Sequence, residues 1–229
     1  MQILVGAGGW GLLQGGSEDR LRAYSKLFSF VEVNTTFYRI PRLATVRSWR
    51  VRTPRDFSFS VKCNRTATHV HALKPVGEVF DVLRRMLAIC RILRSDMLVL
   101  QTPPNLRVDG SKVEEVSRIL RNLDSGSIQA FWEVNAPMNG GSRRRLENEM
   151  LERGITPVVD LSRQDPPEGA KILYSRLFSS GGLEYTDSQI RAIHEKISRS
   201  GAEKVVLAFH GVRMYKDASR YLEFIRNMD

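Results

Sequence analysis

Nine residues of this chain could do chemistry, and they share one position: each stands at or beside the carboxyl end of a short apolar run. Glu32 and Asn34 end Phe30–Asn34, Lys62 ends Phe57–Lys62, and Gln101 ends Met97–Gln101. Glu133 and Asn135 end Phe131–Asn135, Asp160 ends Pro157–Asp160, Arg176 lies late in Lys171–Leu177, and His210 ends Val205–His210. Successive side chains of a strand alternate between faces, so Glu32 and Asn34 share one face and Val31 and Val33 the other. Carboxylates beside a lysine, an arginine and a histidine push one another's pKa values apart, which is what acid–base chemistry needs. Glu32, Lys62, Glu133 and Asp160 are therefore the candidate catalytic groups. Asn34, Gln101, Arg176 and His210 are candidate substrate contacts. Each also has an ordinary reading. A strand-end carboxylate often caps a loop, Lys62 could simply pair with Glu32 across adjacent strands, and His210 could satisfy a backbone carbonyl. The functional reading rests on the set, because loop capping alone does not require polar ends on six or more strands.

Other signals are weaker. Gly6-Ala7-Gly8-Gly9-Trp10-Gly11 spells the letters of a dinucleotide-binding turn, but Gly15-Gly16 intervene before a helix cap at Ser17, whereas the fingerprint must open the helix directly. Trp10 could stack on a ring-shaped substrate or plug a barrel end. His69 and His71, with Glu32, Glu133, Asp160 and His210, contain the donor types of a divalent metal site, though two loop histidines are the simpler account, and the metal and cofactors stay open. Cys63 reads as a packed residue rather than a nucleophile. There is no serine-nucleophile elbow and no H-E-x-x-H.

Composition places these residues in one soluble domain. Of the chain's residues 42% are hydrophobic, and no run approaches the ~18 apolar residues of a membrane span. The start lacks a basic segment before its apolar run, so no secretory signal is expected. Two cysteines are too few for a disulfide framework, and the expected setting is cytoplasmic. The formal charge is +10, with 27 Arg against 8 Lys. Such a balance favours anionic partners, either small molecules or nucleic acid; a dispersed arginine excess also suits ion-pair networks. Arg143-Arg144-Arg145 is the one dense run and reads as the solvated start of a helix.

The elements that must position the candidates alternate. Strands are expected at Ile3–Gly6, Phe30–Asn34, Phe57–Lys62, Met97–Gln101, Ile128–Val134, Thr156–Asp160, Lys171–Leu177 and Lys204–His210. Helices are expected from the Ser17 cap to Phe28, at Leu43–Val51, Val76–Leu93 and Lys112–Asn122, from a Ser142 cap to Glu152, from an Asp187 cap to Arg199, and at Lys216–Met228. Asp165-Pro166-Pro167 leaves little room for a helix between strands six and seven. Eight strands alternating with helices predict an α/β fold, a single (β/α)8 TIM-like barrel over residues 1–229. An open doubly wound sheet is the alternative.

At these residues the chain resembles the domain of unknown function 72 family, also called YecE-like. The motifs are Gly6-Ala7-Gly8-Gly9-Trp10, Glu32-Val33-Asn34-Thr35-Thr36-Phe37-Tyr38, Asp56 to Lys62, Thr68-His69 and Gln101-Thr102-Pro103-Pro104. The resemblance implies a TIM-barrel-like fold with a pocket whose reaction is not established. By motif, Trp10, Glu32, Asn34, Thr36, Tyr38, Lys62, His69 and Gln101 would line it. The second half is similar more loosely: Glu133 carries over, while Asn135, Ser179-Ser180 and His210-Gly211 depart from the family's letters.

Two functions follow. One is an enzyme, hydrolase-like or nuclease-like, acting on an anionic or phosphate-bearing substrate at the barrel mouth. The other is a protein that binds a nucleotide or nucleic acid there without turnover.

Overall fold

A computed structural model describes residues 1–13 and 19–228. Its eight strands are β1 (Gln2–Ala7), β2 (Phe30–Val33), β3 (Ser58–Lys62), β4 (Met97–Thr102), β5 (Gln129–Val134), β6 (Ile155–Val159), β7 (Ile172–Phe178) and β8 (Lys204–His210). They close into a barrel in sequence order, with parallel pairing. The helices are α1 (Arg20–Leu27), α2 (Thr35–Tyr38), α3 (Leu43–Val51), α4 (Gly77–Leu93), α5 (Gly110–Arg121), α6 (Gly140–Glu152), α7 (Asp187–Arg199) and α8 (Met214–Arg226), with a π-helical turn at Thr66–Val70. Among the described residues no helix is long and apolar enough to cross a membrane.

The expected strands and helices are present, with ends shifted by a few residues, and β6 runs to β7 without a helix. Two short elements were not expected: α2 and the π-helical turn, both directly after strand-end candidates. Several caps differ from expectation. Asp19 caps α1 by accepting from the Leu21 N–H at 3.1 Å; Ser17, expected there, lies outside the described residues. Asn139 rather than Ser142 caps α6, accepting from the Ser142 N–H at 2.8 Å. Thr186 rather than Asp187 caps α7, in a capping box with Gln189. In α6 and α7 the side chain that reaches back to a free N–H is the cap, and the expected residue stands just inside the helix.

The described residues form two compact units: residues 1–32, 51–58 and 159–229, and residues 33–50 with 59–158. In the first, Gly6 allows a close approach that sets the β1–β2 join. The buried Tyr24 hydroxyl accepts from the Ala7 N–H at 2.7 Å and donates to the Phe30 carbonyl at 2.8 Å. A Cβ on Gly6 would stand 1.9 Å from that carbonyl oxygen. One aromatic hydroxyl thus bridges strand backbones that a side chain would force apart. The segment after β6 is held in place of a helix by Lys196, which donates to the carbonyls of Leu161 at 3.1 Å and Gln164 at 2.8 Å. In the second unit β3, β4, β5 and β6 pair in register, Lys62 opposite Val99 and Gln101 opposite Glu133.

Candidate functional site

In the first unit, Glu32 on β2 is 0% exposed. Its Oε2 accepts from the Tyr174 hydroxyl at 2.8 Å. Its Oε1 accepts from Arg176 Nε at 3.2 Å, and stands 3.1 Å from Arg176 Nη2 and 3.5 Å from His210 Nε2. Tyr174, Arg176 and Phe178 are two residues apart on β7, so alternation puts them on one face. His210 lies opposite Phe178 in the β7–β8 register, and their rings stack at 4.6 Å and 17°. The Arg176 guanidinium lies 5.3 Å from the Phe178 ring centre. A carboxylate this deep is tolerable only with matched cations and hydrogen bonds around it. The structure thus brings together three expected residues, Glu32, Arg176 and His210. The ion pairs described for Glu32 run to β7 and β8. Tyr174 and Phe178 were missed as site residues; their spacing of two from Arg176 was the available signal.

Two further candidates, Trp10 and Asp160, lie in this unit. Trp10 is half-buried in the turn after β1. In that turn the N–H groups of Gly8 and Gly9 donate to the carbonyls of Phe209 and Ala7 at 2.9 Å each. Tyr215 of α8 donates to the Gly9 carbonyl and accepts from the Leu12 N–H, both at 3.2 Å. The glycine turn is therefore a packed connection, with those two N–H groups spent on protein carbonyls. Asp160, half-buried just beyond β6, accepts from the Ser162 N–H at 3.0 Å and hydroxyl at 2.6 Å, with Arg163 at 3.7 Å. This is an Asx-type loop cap.

In the second unit the strand ends build a different cluster. The Lys62 ammonium, on a residue only 8% exposed, sits 4.3 Å from the centre of the Phe37 ring. The same ring meets His69 edge-on, centres 5.0 Å apart. Burial, then the charges of Lys62 and Arg65, hold the His69 pKa below its ordinary 6.5, so the imidazole is neutral near pH 7. Its Nδ1 is 2.9 Å from the Thr68 hydroxyl, which fixes the ring. On β4 and β5, Gln101 Nε2 donates to Glu133 Oε2 at 2.7 Å. Parallel register places Lys62, Val99 and Phe131 in one row and Gln101 and Glu133 two residues further along the same face.

Thr36 is completely buried, and its Oγ1 lies 2.8 Å from the Val33 carbonyl and 2.6 Å from that of Lys62, one hydroxyl proton serving both. It ties α2 to the end of β3 and faces no solvent. Asn34, half-buried, precedes α2, and Tyr38 is 74% exposed on the far side of Phe37. Asn64, missed by sequence reasoning, secures the same corner by donating to the carbonyls of Thr36 and Phe37 at 2.9 and 3.1 Å. Phe37 was also missed, although its place between Thr36 and Tyr38 put it inside the motif.

Among the described residues no three His, Cys, Asp or Glu side chains gather closely enough to hold an ion, and His71 pairs with Glu78 at 2.8 Å. The cysteines are free and buried; burial pushes the Cys63 thiol up to about 12, which makes it inert, as its packed position suggested.

The sequence also matches known proteins. The family described as "Protein of unknown function DUF72" matches residues 11–227. The UPF0759 protein YecE of Escherichia coli K12 is 31% identical over 149 residues, which are 62% of this chain and 52% of that protein. The chain thus spans about half the length of the curated relatives it matches. A DUF72 family protein of Enterococcus faecalis superposes with TM-score 0.77 at 15% identity, covering 100% of this chain and 98% of the other. One from Thermotoga maritima gives 0.76 at 18%, covering 99% and 100%. The Escherichia coli 3-keto-D-glucoside 4-epimerase gives 0.61 at 10%, covering 99% of each chain. At these identities the structural likenesses show the barrel fold.

Proposed function

Because the chain belongs to the DUF72 family of proteins of unknown function, whose description specifies no reaction, we propose its function from the strand-end cluster: an enzyme that holds an anionic substrate on Lys62 and moves a proton with Glu133. The observation that carries this reading is the buried Lys62 ammonium set beside a neutral His69 and one row below the Gln101–Glu133 pair. Strands two apart and two residues along differ by roughly 12 Å at the backbone, which leaves space for a small molecule between the two side chains. An anionic group on Lys62 would direct the adjoining atoms of the substrate toward Glu133. Gln101 orients the Glu133 carboxylate, which would transfer the proton. His69 can donate or accept a hydrogen bond there without adding charge. A phosphate-bearing substrate fits this charge pattern and the basic balance of the chain, and hydrolysis is one reaction such a site could run. Asn34 and Tyr38 would contact the outer part of the substrate. Glu32 and Asp160 take positioning roles in this reading: Glu32 is too deep to touch a ligand and aims Arg176, while Asp160 shapes its own loop. Two free thiols suit a reducing, cytoplasmic setting.

The test is a thermal-shift screen with phosphorylated sugars, nucleotides and carboxylic acids, followed by turnover assays on any hit. Lys62→Met keeps the stem on Phe37 and removes the charge, so it should abolish the ligand-induced shift. Glu133→Gln should keep the shift and lose turnover by about 10²-fold or more. Retained binding in Lys62→Met would overturn the reading. Binding in every form with no turnover in wild type would favour the non-catalytic alternative.

A further inference from the structure

We propose that a second site, the cleft between the β4–α5 and β5–α6 loops, binds single-stranded nucleic acid through its phosphate backbone. The cleft, of about 670 Å³, runs along Pro104–Gly110 and Ala136–Met138 and includes Arg145 and Glu149 of α6. It is separate from Lys62, Gln101 and Glu133, none of which lines it. That volume suits one nucleotide unit rather than a duplex, and Leu106, Pro137 and Met138 offer it an apolar wall for a base.

Charge selects the occupant. Arg143, Arg144 and Arg145 stand in the first two turns of α6, whose first turn carries no acidic residue. Cations there oppose the helix macrodipole, so local stability does not explain them. Among the described residues none of the three forms an ion pair; Glu147 feels the charges of Arg143 and Arg144 without closing on either. Across the cleft Arg107 has its side chain 91% exposed, with only a 3.8 Å contact to Asp109. Of the two carboxylates of the cleft, only Asp109 is hydrogen-bonded among the described residues; Glu149 Oε2 is buried without a hydrogen-bond partner. Asp109 caps α5, accepting from the Lys112 N–H at 3.2 Å and the Ser111 hydroxyl at 2.6 Å. Glu149 lies against Gly110, where a Cβ would stand 2.3 Å from its Oε2, at the positive end of α5.

The spacing of the arginines separates a chain of phosphates from a single one. Consecutive helical residues point about 100° apart, so Arg143, Arg144 and Arg145 cannot converge on one phosphate group. Arg107 and Arg145 line the cleft, and Arg143 and Arg144 adjoin Arg145 on α6, a spread of positive charge that suits an extended polyanion. Binding of this kind releases counterions and weakens with salt.

Fluorescence anisotropy with a labelled oligothymidylate of about fifteen nucleotides tests this. Arg107→Gln, Arg144→Gln and Arg145→Gln should each weaken binding about three- to tenfold at low salt and lower the salt slope by about 0.7. Arg85→Gln, the same charge change at an exposed arginine of α4, should cost less than about twofold, and Lys62→Met should leave binding unchanged. Circular dichroism verifies the fold of each variant. Equal losses in the Arg85 variant would reduce the effect to net charge and overturn the proposal. So would absence of binding by wild type. Competition by inorganic phosphate or a mononucleotide as strong as by the oligomer at equal phosphate would assign the cleft to small anions. Equal competition by polyglutamate would assign it to acidic protein.

Discussion

At the scale of single residues, Glu32 decides how much of the polar interior is structural. It has two hydrogen-bonding partners on β7 and a histidine on β8, and all of them are buried. Glu32→Gln should leave the Arg176 guanidinium buried without its counter-charge and cost about 3–5 kcal/mol in urea denaturation. The double variant Glu32→Gln/Arg176→Met should recover most of that loss, because an apolar replacement of both charges removes the uncompensated one. If the double variant were as unstable as the single one, the ion pair would not be the cause. The sequence marked both residues as strand-end charges but did not pair them with each other. Adjacency along the chain does not point to β7, where a matched charge and a hydrogen bond stand 144 residues away at Arg176.

At the scale of elements, the β1–β2 join depends on Tyr24 and Gly6 together. Tyr24→Phe removes one acceptor and one donor from buried backbone groups, so it should destabilise by about 2–4 kcal/mol. Gly6→Ala pushes a Cβ into the Phe30 carbonyl and should cost about 3 kcal/mol or more. Both are read from chemical unfolding midpoints, and a near-neutral Tyr24→Phe would show that water replaces the hydroxyl. Capping is a smaller term: Asn139→Ala should cost about 1 kcal/mol and Ser142→Ala far less, reversing the assignment made from sequence. That assignment failed for a local reason. Asn139 and Ser142 are both good caps three residues apart, and the choice depends on which one adopts extended backbone. Asn139 does, at φ −72° and ψ 161°. The short α2 and the π-helical turn escaped the sequence altogether, since four or five residues are too few to show a helical period.

At the scale of the whole molecule, stability should respond to pH through buried groups that sequence composition does not rank. Asp217 of α8 is 1% exposed, and burial raises its pKa above 3.8 although its Oδ1 accepts from the Tyr185 N–H at 2.9 Å. The folded protein then holds this proton to higher pH than the unfolded chain. The contribution is complete below the unfolded pKa, near 3.8, and is lost as pH rises through the raised folded value. Asp217→Asn should flatten that slope in urea midpoints measured from pH 4 upward, and an unchanged slope would assign it to other groups. The order of strands and helices, the missing crossover between β6 and β7 and the polar strand ends were legible in the sequence. Period-2 and period-3.6 patterns, prolines and glycines act over a few residues and need no tertiary information. Closure of the barrel decided the rest. It made Glu32 the counter-ion of Arg176, engaged Asp160 and Thr36 in local bonds, and set the Lys62 ammonium over the Phe37 ring. Such partners are set by register and by the low dielectric between packed strands, which bring together residues as far apart as Glu32 and Tyr174, 142 positions along the chain.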